Sequence, residues 1–240
     1  MNRTRLELSP GLWLDARRAV WLEEHRALLV ADLHLAYAWA HRERGNLLPI
    51  AGGDETVDRL HALVADYAPR ELLILGDVIH ASASAPALVA DLRRMLTRSD
   101  GVAVRLIAGN HDKQLASVLR QAGVDATPVD EWTLSPHLLL HGHAGNETIA
   151  DARRAATSER GGRVILGHEH PAISLSDGVA TSARCPSFLV GEDVLVLPAF
   201  TSWSSGTDVR GGTFLSPYTR RARLTQAVAI VAGKLLPIPL

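Results

Sequence analysis

Five short apolar runs along the chain each stop at a polar residue or at a glycine that introduces one. Ala27–Ala31 stops at Asp32, Glu71–Leu75 at Gly76-Asp77, Val102–Ile107 at Ala108-Gly109-Asn110, His137–Leu140 at His141, and Arg163–Leu166 at Gly167-His168. Runs of this length, rich in Leu or β-branched side chains and bounded by glycine, predict buried strands. Their C-terminal ends would carry five polar groups.

Helical spacing fills the intervals. Asp54 to Tyr67 places Val57, Leu60, Leu63 and Val64 on one face, and Pro86 to Leu96 does the same with Leu88, Val89, Leu92 and Leu96. Lys113–Gln121 carries Leu115, Val118 and Leu119, and Gly123 is placed to end it. This alternation predicts an α/β domain, in which ligand sites lie at the carboxyl ends of strands. Leu6–Leu22, broken by Pro10-Gly11 and Asp15-Ala16, reads as short antiparallel strands. Phe188–Val190, Val194–Leu197 and Ala227–Val231 read as further strands. The economical arrangement is a mixed second sheet packed on the first. Ser202–Gly212 is rich in Gly and Ser and reads as a mobile loop.

Composition narrows the class without deciding it. A chain of 240 residues fits one globular domain, taken here as residues 1–240. No apolar stretch approaches the roughly 20 residues of a membrane helix. No signal peptide precedes the first charges, and the one cysteine, Cys185, excludes an intramolecular disulfide framework; a cytoplasmic setting fits best. The net charge of −1 argues against a globally basic nucleic-acid surface, although 23 of the 25 basic residues are Arg, which pairs with phosphate bidentately at local patches.

The histidines are clustered. Of eleven histidines, six fall in Asp32-Leu33-His34, Asn110-His111-Asp112, His141-Gly142-His143 and His168-Glu169-His170. A transition metal in a nitrogen and oxygen site takes imidazole and carboxylate donors, and a second metal nearby calls for a bridging carboxylate. Asp32 and His34 could both reach a metal if the backbone turns there, and Asp77 is a lone carboxylate suited to bridging. Asn110, His141, His168 and His170 add four neutral donors. Seven donors suit two metals with positions left open, whereas one structural zinc closes with about four.

In this order, Asp32-x-His34, Gly76-Asp77, Gly109-Asn110-His111-Asp112, His141-Gly142-His143 and Gly167-His168-x-His170 resemble the five-part signature of calcineurin-like metallophosphoesterases. The resemblance implies an αββα sandwich of two mixed β-sheets flanked by helices. It also implies one metal on Asp32, His34, Asp77 and His170, and another on Asp77, Asn110, His141 and His168. Two such metals, roughly 3.5–4 Å apart, polarise a phosphoryl group and activate water for in-line attack. His111 is then the expected general acid or transition-state stabiliser, and Asp112 could accept its ring N–H and fix the tautomer. His143 is either a support or substrate contact or a purely structural residue. Glu169 is expected to be exposed or to stand behind the ligands.

Asp32-Leu-His-Leu-Ala-Tyr with Arg42-Glu-Arg44-Gly45, Leu75-Gly-Asp-Val-Ile-His80, Gly167-His-Glu-His-Pro171 and Val196-Leu-Pro-Ala-Phe200 are similar to one branch of that superfamily. These are the bacterial and archaeal phosphoesterases associated with DNA ligase and a helicase. Ala36 stands where that branch usually has Gly, and Thr201–Ser205 lacks its Gly-rich sequence. The branch implies a phosphodiesterase or nuclease that prefers manganese, with iron or zinc as alternatives, linked to DNA repair and to ligase or helicase partners. Arg42 and Arg44 either hold a substrate phosphate or form a solvated helix face. His80 either supports Asp77 or is structural, and Trp203 either packs or stacks on a base. The alternative substrate is a small or cyclic nucleotide. A non-catalytic scaffold of the same fold is a third reading, disfavoured because no ligand position is vacant.

Overall fold

Side chains on a β-strand point alternately to opposite faces, so a continuous apolar run is buried on both sides only when a layer covers each face. The computed structural model describes residues 4–46, 48, 51–80, 85–97, 101–176, 178 and 182–240. Its first sheet runs in sequence order through β1 (Arg5–Ser9), β2 (Leu12–Asp15), β3 (Ala19–Leu22), β4 (Ala27–Val30), β5 (Glu71–Leu75) and β6 (Ala103–Ile107). The N-terminal strands therefore extend the first sheet as antiparallel hairpins, while β4, β5 and β6 are parallel. Helices α1 (Tyr37–Glu43), α2 (Ala51–Tyr67), α3 (Ala85–Thr97) and α4 (Leu115–Ala122) lie in or after its crossovers.

The second sheet comprises β7 (Glu131–Leu134), β8 (His137–Leu140), β9 (Val164–Leu166), β10 (Pro171–Ser176), β11 (Ser182–Gly191), β12 (Val194–Val196), β13 (Thr207–Asp208), β14 (Leu224–Val231) and β15 (Lys234–Pro239). Its order is β13-β10-β11-β12-β9-β8-β7, with β14 also paired to β11 and β15 to β14. β8, β9 and β12 are parallel. Helices α5 (Glu147–Ser158) and α6 (Pro217–Arg220) accompany this sheet.

Three apolar layers follow from the alternation. Leu29, Leu73, Leu75 and Ile107 of the first sheet meet Leu139, Ile165, Phe188 and Val228 of the second. Leu28, Val30, Leu72 and Ile74 face the other way, onto Leu60 and Leu63 of α2, Leu88 and Leu92 of α3 and Leu115 of α4. Leu138, Leu140, Val164 and Leu166 face Ala150 of α5 and Tyr218 of α6. The result is the αββα sandwich. Gly123 ends α4 in the left-handed conformation at φ 73°, as its position predicts. Ser202–Gly212 is more structured than its composition predicts, holding β13 and a short helical turn at Val209–Gly211.

Candidate metal centre

The carboxyl ends of β4, β5, β6, β8 and β9 converge, and there the backbone turns sharply. Asp32, His34, Asp77, His168 and His170 all adopt positive φ, between 46° and 69°. For a residue with a Cβ this conformation costs roughly 1–2 kcal/mol. The loops after β4 and β5 hold it in place by running side by side: Asp32 N–H donates to the Gly76 carbonyl at 3.1 Å, His34 N–H to Asp77 at 2.9 Å and His80 N–H to Leu35 at 3.0 Å. Ala36 is also left-handed, at φ 60°, with its N–H on Asp91 Oδ2 at 3.1 Å. Glycine is the residue that adopts such a φ without strain.

The motif glycines are matched to their neighbours. A Cβ on Gly76 would fall on the His141 imidazole, and one on Gly109 would fall on the Asp77 carboxylate and amide. Each glycine therefore admits a candidate ligand from another motif.

The turns bring the predicted residues into two groups that share Asp77. Asp32, His34, Asp77 and His170 form one, and Asp77, His141 and His168 the other; within each, one donor atom per residue lies within 4.8 Å of all the others. Asn110 joins the second group through its Oδ1, 3.1 Å from His141 Nε2. His34 Nε2 lies 3.4 Å from His170 Nε2 and 3.8 Å from Asp77 Oδ2, and His141 Nε2 is 3.5 Å from the same oxygen. His141 Nδ1 meets the Leu75 carbonyl at 2.9 Å and His170 Nδ1 meets Ser204 Oγ at 2.9 Å, leaving His141 Nε2 toward Asp77 and His170 Nε2 toward Asp32. Such outer contacts select the ligating nitrogen. Ser204 carries no motif that marks it in the sequence, because it approaches His170 from a loop 34 residues away.

The electrostatics fit divalent cations. Burial lowers His34 and His168, each to about 4, so both rings are neutral donors. Burial also works against protonation of His141, but a hydrogen bond with Asp77 and the charges of Asp32 and Asp77 raise it to about 9. Burial likewise disfavours charged His170, yet the Asp32 carboxylate raises it. Against the same burial, His170 holds Asp32, and His141 holds Asp77, below the usual carboxylate range. Two buried carboxylates thus draw protons onto two imidazoles, and cations at those Nε2 atoms would replace the protons. Mixed imidazole, carboxylate and amide donors around a shared carboxylate are a set that two such ions accept.

The surrounding residues divide. His111 donates its backbone N–H to Asp77 Oδ1 at 2.9 Å, and its ring stands edge-on to His34 and stacks on His80, with centroids 5.2 and 5.6 Å apart. The expected contact between Asp112 and that ring is not among the hydrogen bonds of the described residues. Asp112 instead accepts the backbone N–H groups of Gly109, Val78 and Ile79, at 2.8, 3.3 and 3.1 Å, and locks the Asp77 loop to the Asn110 loop. Glu169 is buried rather than exposed, holding the amides of Leu215 and Ser216 at 3.1 and 2.6 Å. His143 lies beside His141 and His168, with ring centroids 5.2 and 6.2 Å away. Arg42 turns to the Leu48 carbonyl at 3.3 Å and lies outside both donor groups, as does Arg44, whose charge reaches His80. Trp203 stacks on Tyr37 at 5.9 Å.

The groups open to solvent on one side through a groove of about 340 Å³ lined by Asp77, Asn110, His111, His168 and His170. Leu215 connects it to a depression holding His143, Arg220 and Arg221.

A sequence profile of the calcineurin-like phosphoesterase superfamily domain matches residues 26–185. Among solved structures, nuclease MPE from Pseudomonas putida is similar over 99% of this chain and 100% of its own, with 28% identity and a TM-score of 0.70. A dimetal phosphatase from Danio rerio is similar at 11% identity and a TM-score of 0.43, over 88% of this chain and 97% of its own. No curated protein matches the sequence.

Proposed function

The chain belongs to the calcineurin-like phosphoesterase superfamily and is a metal-dependent hydrolase, and from that premise we propose that it is a two-metal phosphodiesterase acting on nucleic acid. The observation that carries this reading is the pair of donor groups sharing the Asp77 carboxylate at the floor of an open groove. When bound, two divalent ions would supply Lewis acidity toward the phosphoryl oxygens and lower the pKa of water at the site. Asp32, His34, Asp77 and His170 would hold one, and Asp77, Asn110, His141 and His168 the other. Manganese is the first metal to test, with iron and zinc as competitors.

The chain's own residues then position and move protons. Asp77 Oδ1 fixes the His111 backbone, and His34 and His80 hold its ring at the groove. From there His111 donates a proton to the leaving oxygen or a hydrogen bond to the developing charge. Asp112 acts by holding the loops that carry Asp77 and Asn110 together, a positioning role. His143 lies along the groove toward Arg220 and Arg221, whose guanidinium groups pair with Glu147 at 3.6 and 2.7 Å, so a second phosphate of an extended strand would compete with that carboxylate there. The similarity of the whole chain to a nuclease favours nucleic acid over a small nucleotide. A role in DNA repair beside a ligase or helicase rests on the sequence resemblance alone.

The test is hydrolysis of single-stranded DNA, duplex DNA and a small aryl phosphodiester by manganese-reconstituted protein, with His111→Ala as control. DNA cleavage should fall by about 10²–10⁴-fold in the variant while two metals stay bound. Turnover of the small diester alone would move the substrate to a small nucleotide, and inactivity with metals bound would contradict catalysis.

A further inference from the structure

We infer that the cavity beside His34 binds an unpaired nucleobase next to the scissile phosphate. This deepens the phosphodiesterase reading and rests on it. The cavity, of about 190 Å³, lies where the turn after β4 meets α2, α3 and the Thr201–Trp203 segment, and His34 of the first donor group forms part of its wall. A closed apolar cavity of about 150 Å³ accommodates benzene, so the space suits one planar ring system.

Its lining has the chemistry of such a ring. Tyr37, Trp39 and Trp203 supply aromatic surface, and Tyr37 and Trp203 lie nearly parallel, at 13°. Asp91 and Arg94 bring a carboxylate and a guanidinium into the same wall. Aromatic faces in a wall that also carries charged side chains suit a heteroaromatic base rather than a plain apolar group. Contact with the metal groups is short: Tyr37 lies 4.8 Å from the His80 ring, which is 5.7 Å from His34 and 5.6 Å from His111. A nucleotide with its phosphate at the donor groups would have its base on the Tyr37 side. A paired base stays inside its helix, so the base must come from a single strand or be extruded from a duplex.

The experiment compares kcat/KM of the manganese-loaded enzyme for two esters with the same leaving group, the p-nitrophenyl ester of thymidine monophosphate and methyl p-nitrophenyl phosphate. The thymidine ester should be preferred by about 5- to 150-fold, the range that stacking of one base provides. Trp203→Ala should move that ratio toward one, and Trp203→Phe should retain most of it. Loss of fold or metal lowers both rates together and does not mimic a change of ratio. A wild-type ratio of one overturns the inference while leaving the phosphodiesterase reading intact, and so does a ratio unmoved by Trp203→Ala. If neither ester turns over with metals bound, the phosphodiesterase reading fails and the inference with it. In a single-stranded oligonucleotide, an abasic residue beside the cleavage position should slow cleavage by a similar factor, and equal rates would contradict base binding.

Discussion

Ser204 determines which nitrogen of His170 faces Asp32. With Oγ 2.9 Å from Nδ1, the other nitrogen stands 3.4 Å from Asp32 Oδ1. Ser204→Ala removes that contact and frees the ring to turn, so metal affinity should weaken about 10–100-fold. Isothermal titration of the metal-free protein reads this directly, and unchanged affinity would contradict the assignment. The convergence of the seven candidate donors was readable because each follows a strand end within a few residues, and the turn required at Asp32 and His34 is present as two positive φ values. Ser204 was not readable, since no local pattern marks a hydroxyl that meets its partner 34 residues away in sequence. Asp112 shows a different limit: adjacency to His111 pointed at the ring, whereas three unpaired loop amides compete for the carboxylate and take it.

At the scale of elements, the alternating burial of β5 makes a quantitative claim. Leu73 is fully buried between the sheets, while Leu72 and Ile74 are buried under the helices. Leu73→Ala should destabilise the fold by about 2–5 kcal/mol in urea unfolding, and a loss well below that range would argue against a packed interface between the sheets. Asp15 ties the β2 end to α2. Its carboxylate accepts Arg17 Nη2 at 2.8 Å and the Tyr67 hydroxyl at 2.9 Å. Burial raises this carboxyl, but the Arg17 and Tyr67 hydrogen bonds prevail and hold it below its ordinary value. A depressed carboxylate stabilises the fold above the unfolded pKa of about 4 and loses that contribution as pH falls through its folded value. Asp15→Asn should therefore cost about 1–3 kcal/mol at neutral pH, with the difference from wild type shrinking below about pH 4. A pH-independent difference would contradict this sign. The strands preceding the motifs were predictable because both faces are covered and the runs stay apolar throughout. Helix α5 was not, because its buried face consists of Ala150, Thr157 and Arg154, the last paired with Asp193 and Asp151. An ion-paired arginine in place of a leucine leaves no apolar stripe to detect.

For the whole molecule, the site exists because the parallel strands of two sheets end at one edge. Asp32 accepts the His168 amide, and the Phe200 amide donates to the Ala31 carbonyl at 2.8 Å, so the two sheets are joined at the donor groups themselves. Among the described residues no helix is long and apolar enough to cross a membrane, and the groove at this shared edge is open to solvent. In the proposed two-metal site one carboxylate, Asp77, serves two ions. Manganese titration followed by electron paramagnetic resonance tests it most directly. Two ions per chain with a spin-coupled signal are expected, and in Asp77→Asn loss of the coupling together with at least one ion. One ion per wild-type chain, or two uncoupled ions unaffected by Asp77→Asn, would contradict it.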